Sequence, residues 1–243
     1  MRITGARAYH LKAPLEKPYQ TTFGTMTHRQ AVVIILENED GTEGVGETYI
    51  NFPIWSPFGR LASYREAFFP ELTGGEITDI PEFIQAVWKK YYRASMQGNS
   101  LGAAIQALSA VSTALWDIKA KLANVPLRKL FLENPAQKVK IYGSGINPPF
   151  LIDALNKALD MGIEVFKLKL GFGDDIDRHN ICELKKILGH DAEISVDVNR
   201  SWSFDRTMNW MRFLSDNNIA WIEEPLSPQD QHRYGELFER TEV

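Results

Sequence analysis

The chain has 243 residues, of which 44% are hydrophobic and 24% are charged, as expected for one large globular domain or two modest ones. Its formal net charge of −4 provides no basic field for a nucleic-acid backbone, and no stretch approaches the roughly 18 apolar residues of a membrane span. The single cysteine, Cys182, excludes an internal disulfide framework and favours a cytoplasmic location.

The first half of the chain has the pattern of antiparallel strands followed by helices. Segments rich in β-branched and aromatic residues predict strands at Arg2–Lys12, Ala31–Asn38 and Glu43–Tyr49. Apolar residues at helical spacing predict helices at Ile80–Tyr92 and Leu101–Leu122. Strands followed by helices indicate an α+β domain, which we place at residues 1–132.

From about Lys138 onward, short apolar strands alternate with helices, which indicates repeated βα units and a parallel sheet. The predicted strands are Val139–Tyr142, Val165–Leu170, Glu193–Val198 and Ala220–Glu223. The predicted helices lie near Phe150–Met161, Ile176–Leu188 and Phe204–Asn217. Such a sheet belongs to a barrel or to a doubly wound fold. A complete (β/α)8 barrel takes about 250 residues, so residues 133–243 provide only about its first four strands.

Two lysines close the second strand of this series. Lys167 and Lys169 are two residues apart, so their side chains share one face of the strand. At the carboxyl end of a parallel strand this face can reach an active site. Two neighbouring ammonium groups lower each other's proton affinity, which favours a base near neutral pH. The alternative interpretation is a pair of lysines on a solvated strand end.

Acidic residues close the third and fourth strands. Asp197 and Asn199 share one face of the third strand, and Glu223 ends the fourth strand after apolar residues. Carboxylate and amide oxygens suit a hard divalent cation, and an acid in an apolar strand is a local inconsistency that often marks function. The alternatives are an Asx turn at Asp197 and a surface-loop cap at Glu223. Glu224 is expected to face away from Glu223.

Together these residues predict a base beside a cation site, because the same ends of consecutive parallel strands converge. A doubly wound nucleotide-binding fold is disfavoured, since Ile176 occupies the position where the dinucleotide fingerprint starting at Gly171 needs its third glycine. Other polar and aromatic residues are assigned structural roles only. Asp177 is assigned to the solvent-facing side of a helix. Three tryptophans are assigned to packing, namely Trp202, Trp210 and Trp221.

The order Lys167-x-Lys169, Asp197-x-Asn199 and Glu223-Glu-Pro225 resembles the barrel signature of the mandelate racemase/muconate lactonizing enzyme family of the enolase superfamily. Ala114–Pro126 is similar to the segment that joins this family's capping domain to its barrel, and Gly41–Glu47 resembles its N-terminal hairpin. The resemblance implies an α/β fold: an α+β capping domain at 1–132, then the first half of a TIM-like (β/α)7β barrel.

The resemblance also implies roles for individual residues. Lys169 matches the general base, and Lys167 matches the neighbour that tunes the base and contacts the substrate carboxylate. Asp197 and Glu223 match the first two Mg²⁺ ligands, with Asn199 at a supporting position. The implied reaction removes the proton α to a carboxylate, with Mg²⁺ as the cofactor. Its products would arise by racemisation, dehydration or cycloisomerisation.

Two loops match those that close over the barrel mouth in this family, Tyr19–Thr27 and Ile50–Phe58. Their aromatic residues Phe23, Phe52 and Trp55 are candidates for a substrate lid, with ordinary packing as the alternative. The resemblance further implies a small-molecule carboxylate substrate and a homo-oligomer. We expect no nucleic-acid partner and no membrane partner.

The family pattern breaks at the end of the chain. The resemblance places a third carboxylate metal ligand on the next strand, which a chain ending at Val243 does not reach. We therefore expect a truncated or proteolysed form of a longer enzyme, with the catalytic site incomplete in this chain. The rival interpretation is a non-catalytic fragment or interaction module that retains half of the fold.

Overall fold

The computed structural model describes residues 1–22, 24–50, 52–148 and 151–241. The chain divides into two compact units. The first combines Met1–Pro18 with Thr27–Gln137, and the second combines Tyr19–Met26 with Lys138–Val243. The second unit therefore includes a short segment from near the start of the chain.

An antiparallel sheet begins the chain. Its three strands, in the order β1-β2-β3, are β1 (Ile3–Thr21), β2 (Gly24–Asn38) and β3 (Glu43–Thr48). The predicted strands are all present, but β1 runs nine residues beyond Lys12. This extension contains Pro14 and Pro18 and is mostly exposed, so it lacks the apolar alternation by which half-buried strands are recognised.

The helices of the first unit are α1 (Ser56–Ser63), α2 (Phe69–Leu72), α3 (Ile80–Gln97), α4 (Leu101–Leu122) and α5 (Arg128–Phe131). A π-helical turn, Tyr64–Phe68, joins α1 to α2. The bounds predicted for α4 are confirmed, whereas α3 continues five residues past Tyr92. Helix α1 begins inside the predicted loop Ile50–Phe58, so the end of that segment is helical.

Helix α4 is the core helix of the first unit. By length and composition it could span a membrane, but many of its apolar side chains, including Leu108, Val111 and Leu115, are almost fully buried in this unit's core. It lies directly on β3, because Gly44 and Gly46 have no side chain to separate the strand from the helix: a Cβ atom on Gly46 would overlap the carbonyl oxygen of Ala110.

A parallel four-stranded sheet forms the second unit. Its strands, in sequential order, are β4 (Gly143–Ile146), β5 (Phe166–Lys169), β6 (Ile194–Asp197) and β7 (Ile219–Glu223). The helices are α6 (Leu151–Asp160), α7 (Asp174–Leu188), α8 (Phe204–Asp216) and α9 (Tyr234–Arg240). The parallel βα series is as predicted.

The first strand of this series was wrongly predicted at Val139–Tyr142. The ladder starts at Gly143, which lies opposite Phe166, the first residue of β5. Val139 and Ile141 precede the start of β5 and are not covered by it: Val139 is 76% exposed and Ile141 is 62% exposed. An apolar run alone does not reveal where a neighbouring strand begins.

The two faces of the parallel sheet differ in character. One face, which includes Phe166, Leu168, Ile194 and Val196, packs with helix residues into a single apolar core. The opposite face, termed here the polar face, contains Lys167, Lys169, Ser195, Asp197, Trp221 and Glu223. The β6–β7 ladder is irregular: Ile219 pairs with Ile194, but Ile222 pairs with Val196, so β7 has one extra residue.

Candidate functional site

The carboxyl ends of three neighbouring strands place three charged residues side by side. In the ladder Lys169 pairs with Asp197, and Asp197 pairs with Glu223. Backbone bonds continue one residue further, from Leu170 N to Asp197 O at 2.9 Å and from Val198 N to Glu223 O at 3.0 Å. The register of the sheet therefore brings together the residues that the sequence predicted at separate strand ends.

Asp197 lies at the centre of this group, with its side chain only 1% exposed. Its Oδ2 accepts a hydrogen bond from Lys169 Nζ, and its Oδ1 accepts one from the backbone N–H of Asn199 at 2.9 Å. Asn199 adopts a left-handed conformation with φ 50°, which asparagine tolerates better than most residues. The Asx turn considered as an alternative is thus present, and it holds the carboxylate beside Lys169.

Lys167, two residues before Lys169 in β5, is buried and lies close to two carboxylates. Its Nζ donates to Glu223 Oε2 at 2.7 Å and to the Tyr142 hydroxyl at 3.3 Å, and Asp197 Oδ2 is 3.8 Å away. Burial lowers the pKa of Lys167, but its hydrogen bonds to Glu223 and Tyr142 and the nearby carboxylates raise the pKa further, for a net increase. The predicted lowering of the pKa is therefore wrong for Lys167, because its hydrogen bonds and the two neighbouring carboxylates outweigh the effect of burial.

The two consecutive glutamates of β7 have different partners. Glu223 contacts Lys167 on the polar face and remains 36% exposed. Glu224 has a positive φ of 44° and pairs with Arg200, with the Nε and Oε1 atoms 3.2 Å apart. The two side chains therefore face different partners, as predicted.

A buried carboxylate supports the loop after Lys169. Asp177 accepts hydrogen bonds from the backbone N–H of Gly171 at 2.8 Å and of Phe172 at 3.2 Å, and it is fully buried. The solvent-facing position predicted for Asp177 was wrong, because its helix turns this residue back toward the loop that precedes it. Burial raises the pKa of Asp177, while the backbone N–H groups and Arg206 oppose this effect.

Sequence reasoning missed two aromatic residues that contact the site. The ring centroids of Tyr142 and Trp221 lie 5.0 Å and 5.6 Å from Lys167 Nζ. The packing role predicted for Trp202 and Trp210 is confirmed, since both are buried and stacked at 4.8 Å, but Trp221 faces Lys167 instead. The sequence did contain a signal for Trp221: it lies two residues before Glu223 in the same strand, so the two side chains share one face.

The three predicted lid residues come from two segments of the chain, Tyr19–Thr27 and Ile50–Phe58. Phe23 lies outside the described residues. Phe52 and Trp55 belong to the first unit, and Trp55 is 67% exposed at the start of α1. The hairpin tip of β1 and β2 does join the second unit, where Asn147 Nδ2 donates to Gln20 O at 3.1 Å. A lid role for these residues remains a prediction.

The carboxylates of Asp197 and Glu223 suit a cation that prefers oxygen ligands, although they provide only two protein ligand groups. Among the residues that the structure describes, no group of three or more His, Cys, Asp or Glu side chains could enclose a metal ion. Asp197 and Glu223 nevertheless present two carboxylates from adjacent positions of neighbouring strands. Mg²⁺ commonly retains several waters and is held by one or two protein carboxylates, so these residues fit part of its coordination shell.

Fold and site together define a class: an α+β unit followed by parallel βα units that gather lysines and acids at one end of the sheet. The family model for the mandelate racemase/muconate lactonizing enzyme N-terminal domain matches residues 3–131. The model for the enolase C-terminal domain-like region matches residues 151–243. The chain belongs to the mandelate racemase/muconate lactonizing enzyme family of the enolase superfamily.

Relatives with curated names support this membership. Arabinonate dehydratase of Saccharolobus solfataricus is 32% identical over 230 residues, which cover 90% of this chain and 59% of the relative. D-galactarolactone cycloisomerase of Agrobacterium fabrum is 25% identical over 244 residues, which cover 98% and 62%. The chain spans between 53% and 64% of the length of six curated relatives that it matches.

A solved structure shows the same arrangement of elements. A racemase from Streptomyces coelicolor with bound magnesium is 28% identical to this chain and superposes with a TM-score of 0.84, over 94% of this chain and 64% of the racemase. The predicted family and its capping-domain strands and parallel βα series are therefore confirmed.

Proposed function

We propose that the second unit carries a Mg²⁺-dependent site that removes the proton α to the carboxylate of a small acid. One observation carries this proposal: Lys169, Asp197 and Glu223 occupy matching positions at the carboxyl ends of adjacent parallel strands. A base and two cation ligands are needed within a few ångströms of one carbon acid, and this register provides that proximity. In this proposal the four strands are the first part of a (β/α)7β barrel, as in the related capping-domain enzymes.

In this proposal each side chain has the role that the family resemblance implies, and its position is compatible with that role. Lys169, which is 20% exposed, takes the α-proton at Nζ. Lys167, which is 7% exposed, provides a fixed positive charge for the substrate carboxylate. Asp197 and Glu223 hold the cation, and the backbone of Asn199 orients Asp197. When bound, Mg²⁺ supplies electrostatic stabilisation of the negative charge that develops next to the carboxylate.

The substrate class follows from the names of the relatives. Arabinonate dehydratase and D-galactarolactone cycloisomerase are named for sugar acids or their lactones. We therefore propose a sugar acid as the substrate. Dehydration, cycloisomerisation and racemisation share the same first step, so a test of that step serves for all three.

Exchange of the α-proton with solvent tests the proposal directly. The chain would be incubated in D₂O with Mg²⁺ and either arabinonate or galactarate, and loss of the α-proton signal would be followed by ¹H NMR. We expect exchange that requires Mg²⁺ and that falls about 100-fold or more in K169A, because the variant lacks the general base. Lys140, an exposed lysine of the same unit paired with Glu193, supplies the control K140A, which should retain wild-type exchange.

Two outcomes would contradict the proposal. Exchange that persists in K169A would remove Lys169 from the reaction. Binding of Mg²⁺ by calorimetry, weakened in D197N and E223Q but without any exchange on either acid, would favour the rival interpretation of a non-catalytic module that keeps the cation site.

A further inference from the structure

Lys167 contacts two kinds of partner, and only one kind is anionic. Its ammonium group pairs with Glu223 at 2.7 Å and approaches Asp197 at 3.8 Å. Its Nζ also lies 5.0 Å from the centroid of the Tyr142 ring, on the hydroxyl side, and 5.6 Å from the centroid of the Trp221 ring. An ammonium group within about 6 Å of an aromatic centroid is attracted by the negative face of the ring.

The two rings also contact each other. Tyr142 and Trp221, termed here the aromatic pair, meet edge to face with centroids 5.9 Å apart and an interplanar angle of 73°, a favourable geometry for aromatic rings. Tyr142 immediately precedes β4, and Trp221 lies in β7. The residue just before the first strand and a residue of the last strand thus each place a ring near the lysine on β5.

The aromatic pair differs from the carboxylates in one respect that matters for function. Asp197 and Glu223 are the residues that would bind a cation. A carboxylate that binds a cation has a weaker ion pair with Lys167. The rings of Tyr142 and Trp221 have no such competing role. Their attraction for the ammonium group is therefore available whatever the carboxylates bind, and the Tyr142 hydroxyl adds a hydrogen bond at 3.3 Å.

We propose that Tyr142 and Trp221 are positioning residues that hold the ammonium group of Lys167 in place for a substrate carboxylate. The identity of this ligand rests on the proposed function, whereas the positioning of Lys167 does not. The aromatic pair thereby favours acids over neutral sugars, because a fixed, partly dehydrated ammonium group binds a carboxylate more strongly than it binds a hydroxyl group.

Chemical labelling of lysines tests the positioning without any assay of activity. Acetylation by an N-hydroxysuccinimide ester, read by mass spectrometry, would compare Lys167 with Lys140, whose side chain is 72% exposed. We expect Lys167 to react slowly in the wild type and about three- to tenfold faster in Y142L and in W221L, which lack one ring each. W221F, which retains a ring, should stay close to wild type. Y142F retains the ring but loses the hydroxyl hydrogen bond, so its labelling should fall between wild type and Y142L.

A matched control separates this effect from general loosening of the unit. Tyr234 is 40% exposed, similar to Tyr142 at 44%, and lies on α9, so Y234L should leave the labelling of Lys167 unchanged. Equal labelling of Lys167 in the wild type, Y142L and W221L would overturn the proposal. So would faster labelling of Lys167 in Y234L to the same extent as in Y142L.

Kinetics provide a second readout of the same residues. In the exchange assay, Y142L and W221L should raise KM for the sugar acid about tenfold and leave kcat within about threefold, because the aromatic pair acts on binding of the carboxylate. Y142F should restore most of the affinity. A fall in kcat alone would overturn the positioning role. Absence of exchange in the wild type would instead count against the proposed function, and labelling would still decide on the aromatic pair.

Discussion

Asp177 shows how a single buried carboxylate can shape a site that it does not touch. It accepts the backbone N–H groups of Gly171 and Phe172, two and three residues after Lys169. Gly171 has a φ of 101°, and a side chain there would collide with Ser201 and Thr22. The loop that follows the proposed base therefore has little freedom, and Asp177 is the group that satisfies its amides.

Removal of this carboxylate should cost stability. D177A leaves two loop N–H groups without their acceptor, so we expect the free energy of unfolding to fall by about 1–3 kcal/mol. Asp175, an exposed residue of the same helical turn, provides the control D175A, which should change stability by less than about 0.5 kcal/mol. Urea denaturation followed by circular dichroism would measure both. Equal effects in the two variants would contradict the assigned role.

The same residue predicts a dependence of stability on pH. Burial raises the pKa of Asp177 above its usual value of about 3.9, so over a range of pH the folded protein keeps a proton that the unfolded chain has lost. The stability contributed by Asp177 therefore decreases as pH rises through this range. The difference in unfolding free energy between the wild type and D177A should be larger near pH 4 than near pH 7. A larger difference near pH 7 would refute the direction of the shift.

At the scale of elements, the contact between β3 and α4 depends on glycine. A Cβ atom on Gly46 would overlap the backbone of Ala110, and one on Gly44 would overlap that of Ala114. In the sequence these glycines lie in a hairpin motif that resembles the family's. The motif does not indicate which helix lies against them, because that contact joins segments far apart in the chain.

We expect two glycine-to-alanine substitutions, one in β3 and one in α4, to differ in their effect on stability. G46A should destabilise the protein by about 3 kcal/mol or more, because backbone atoms of the helix must move to admit the methyl group. G102A, on α4 where a Cβ atom meets open space, should be neutral or stabilise by up to about 1 kcal/mol. Thermal unfolding of both variants would check this. A G46A variant as stable as the wild type would disprove close contact between β3 and α4.

The strands and helices were predictable to different degrees for physical reasons. Helix α4 was located correctly because its apolar residues recur at helical spacing over 22 residues. The extended part of β1 was missed because its exposed ribbon has no buried face to impose alternation. The start of β4 was misplaced because pairing with β5 determines it, and a pairing partner cannot be read from one apolar segment.

At the scale of the whole molecule, the charges at the site predict what metal removal does. Asp197 and Glu223 are each paired with a lysine, so the fold does not require a cation to neutralise them. Chelation by EDTA should therefore abolish exchange but shift Tm by less than about 2 °C. Circular dichroism during thermal unfolding would measure this shift. Unfolding on chelation, as in structural zinc domains, would contradict the prediction.

The candidate site was predictable in its residue types but not in its contacts. The predicted site residues were Lys167, Lys169, Asp197 and Glu223. They were predictable because they lie at the carboxyl ends of parallel strands, where active sites form. The ion pairs among these residues depend on register and on side-chain reach. Trp221 shares the face of Glu223 by alternation, whereas the extra residue of β7 that leaves Ile219 in the apolar core could not be read from the sequence.

The extra residue of β7 makes strand length as important as residue identity. Ile219 and Trp221 are two residues apart, yet Ile219 packs into the apolar core while Trp221 contacts Lys167. An insertion or deletion of one residue near Ala220 would rotate this strand by half a turn relative to its neighbour. Glu223 could then lose Lys167 without being mutated itself. Among related chains, gaps at this point would be as informative about the reaction as a substitution of the glutamate.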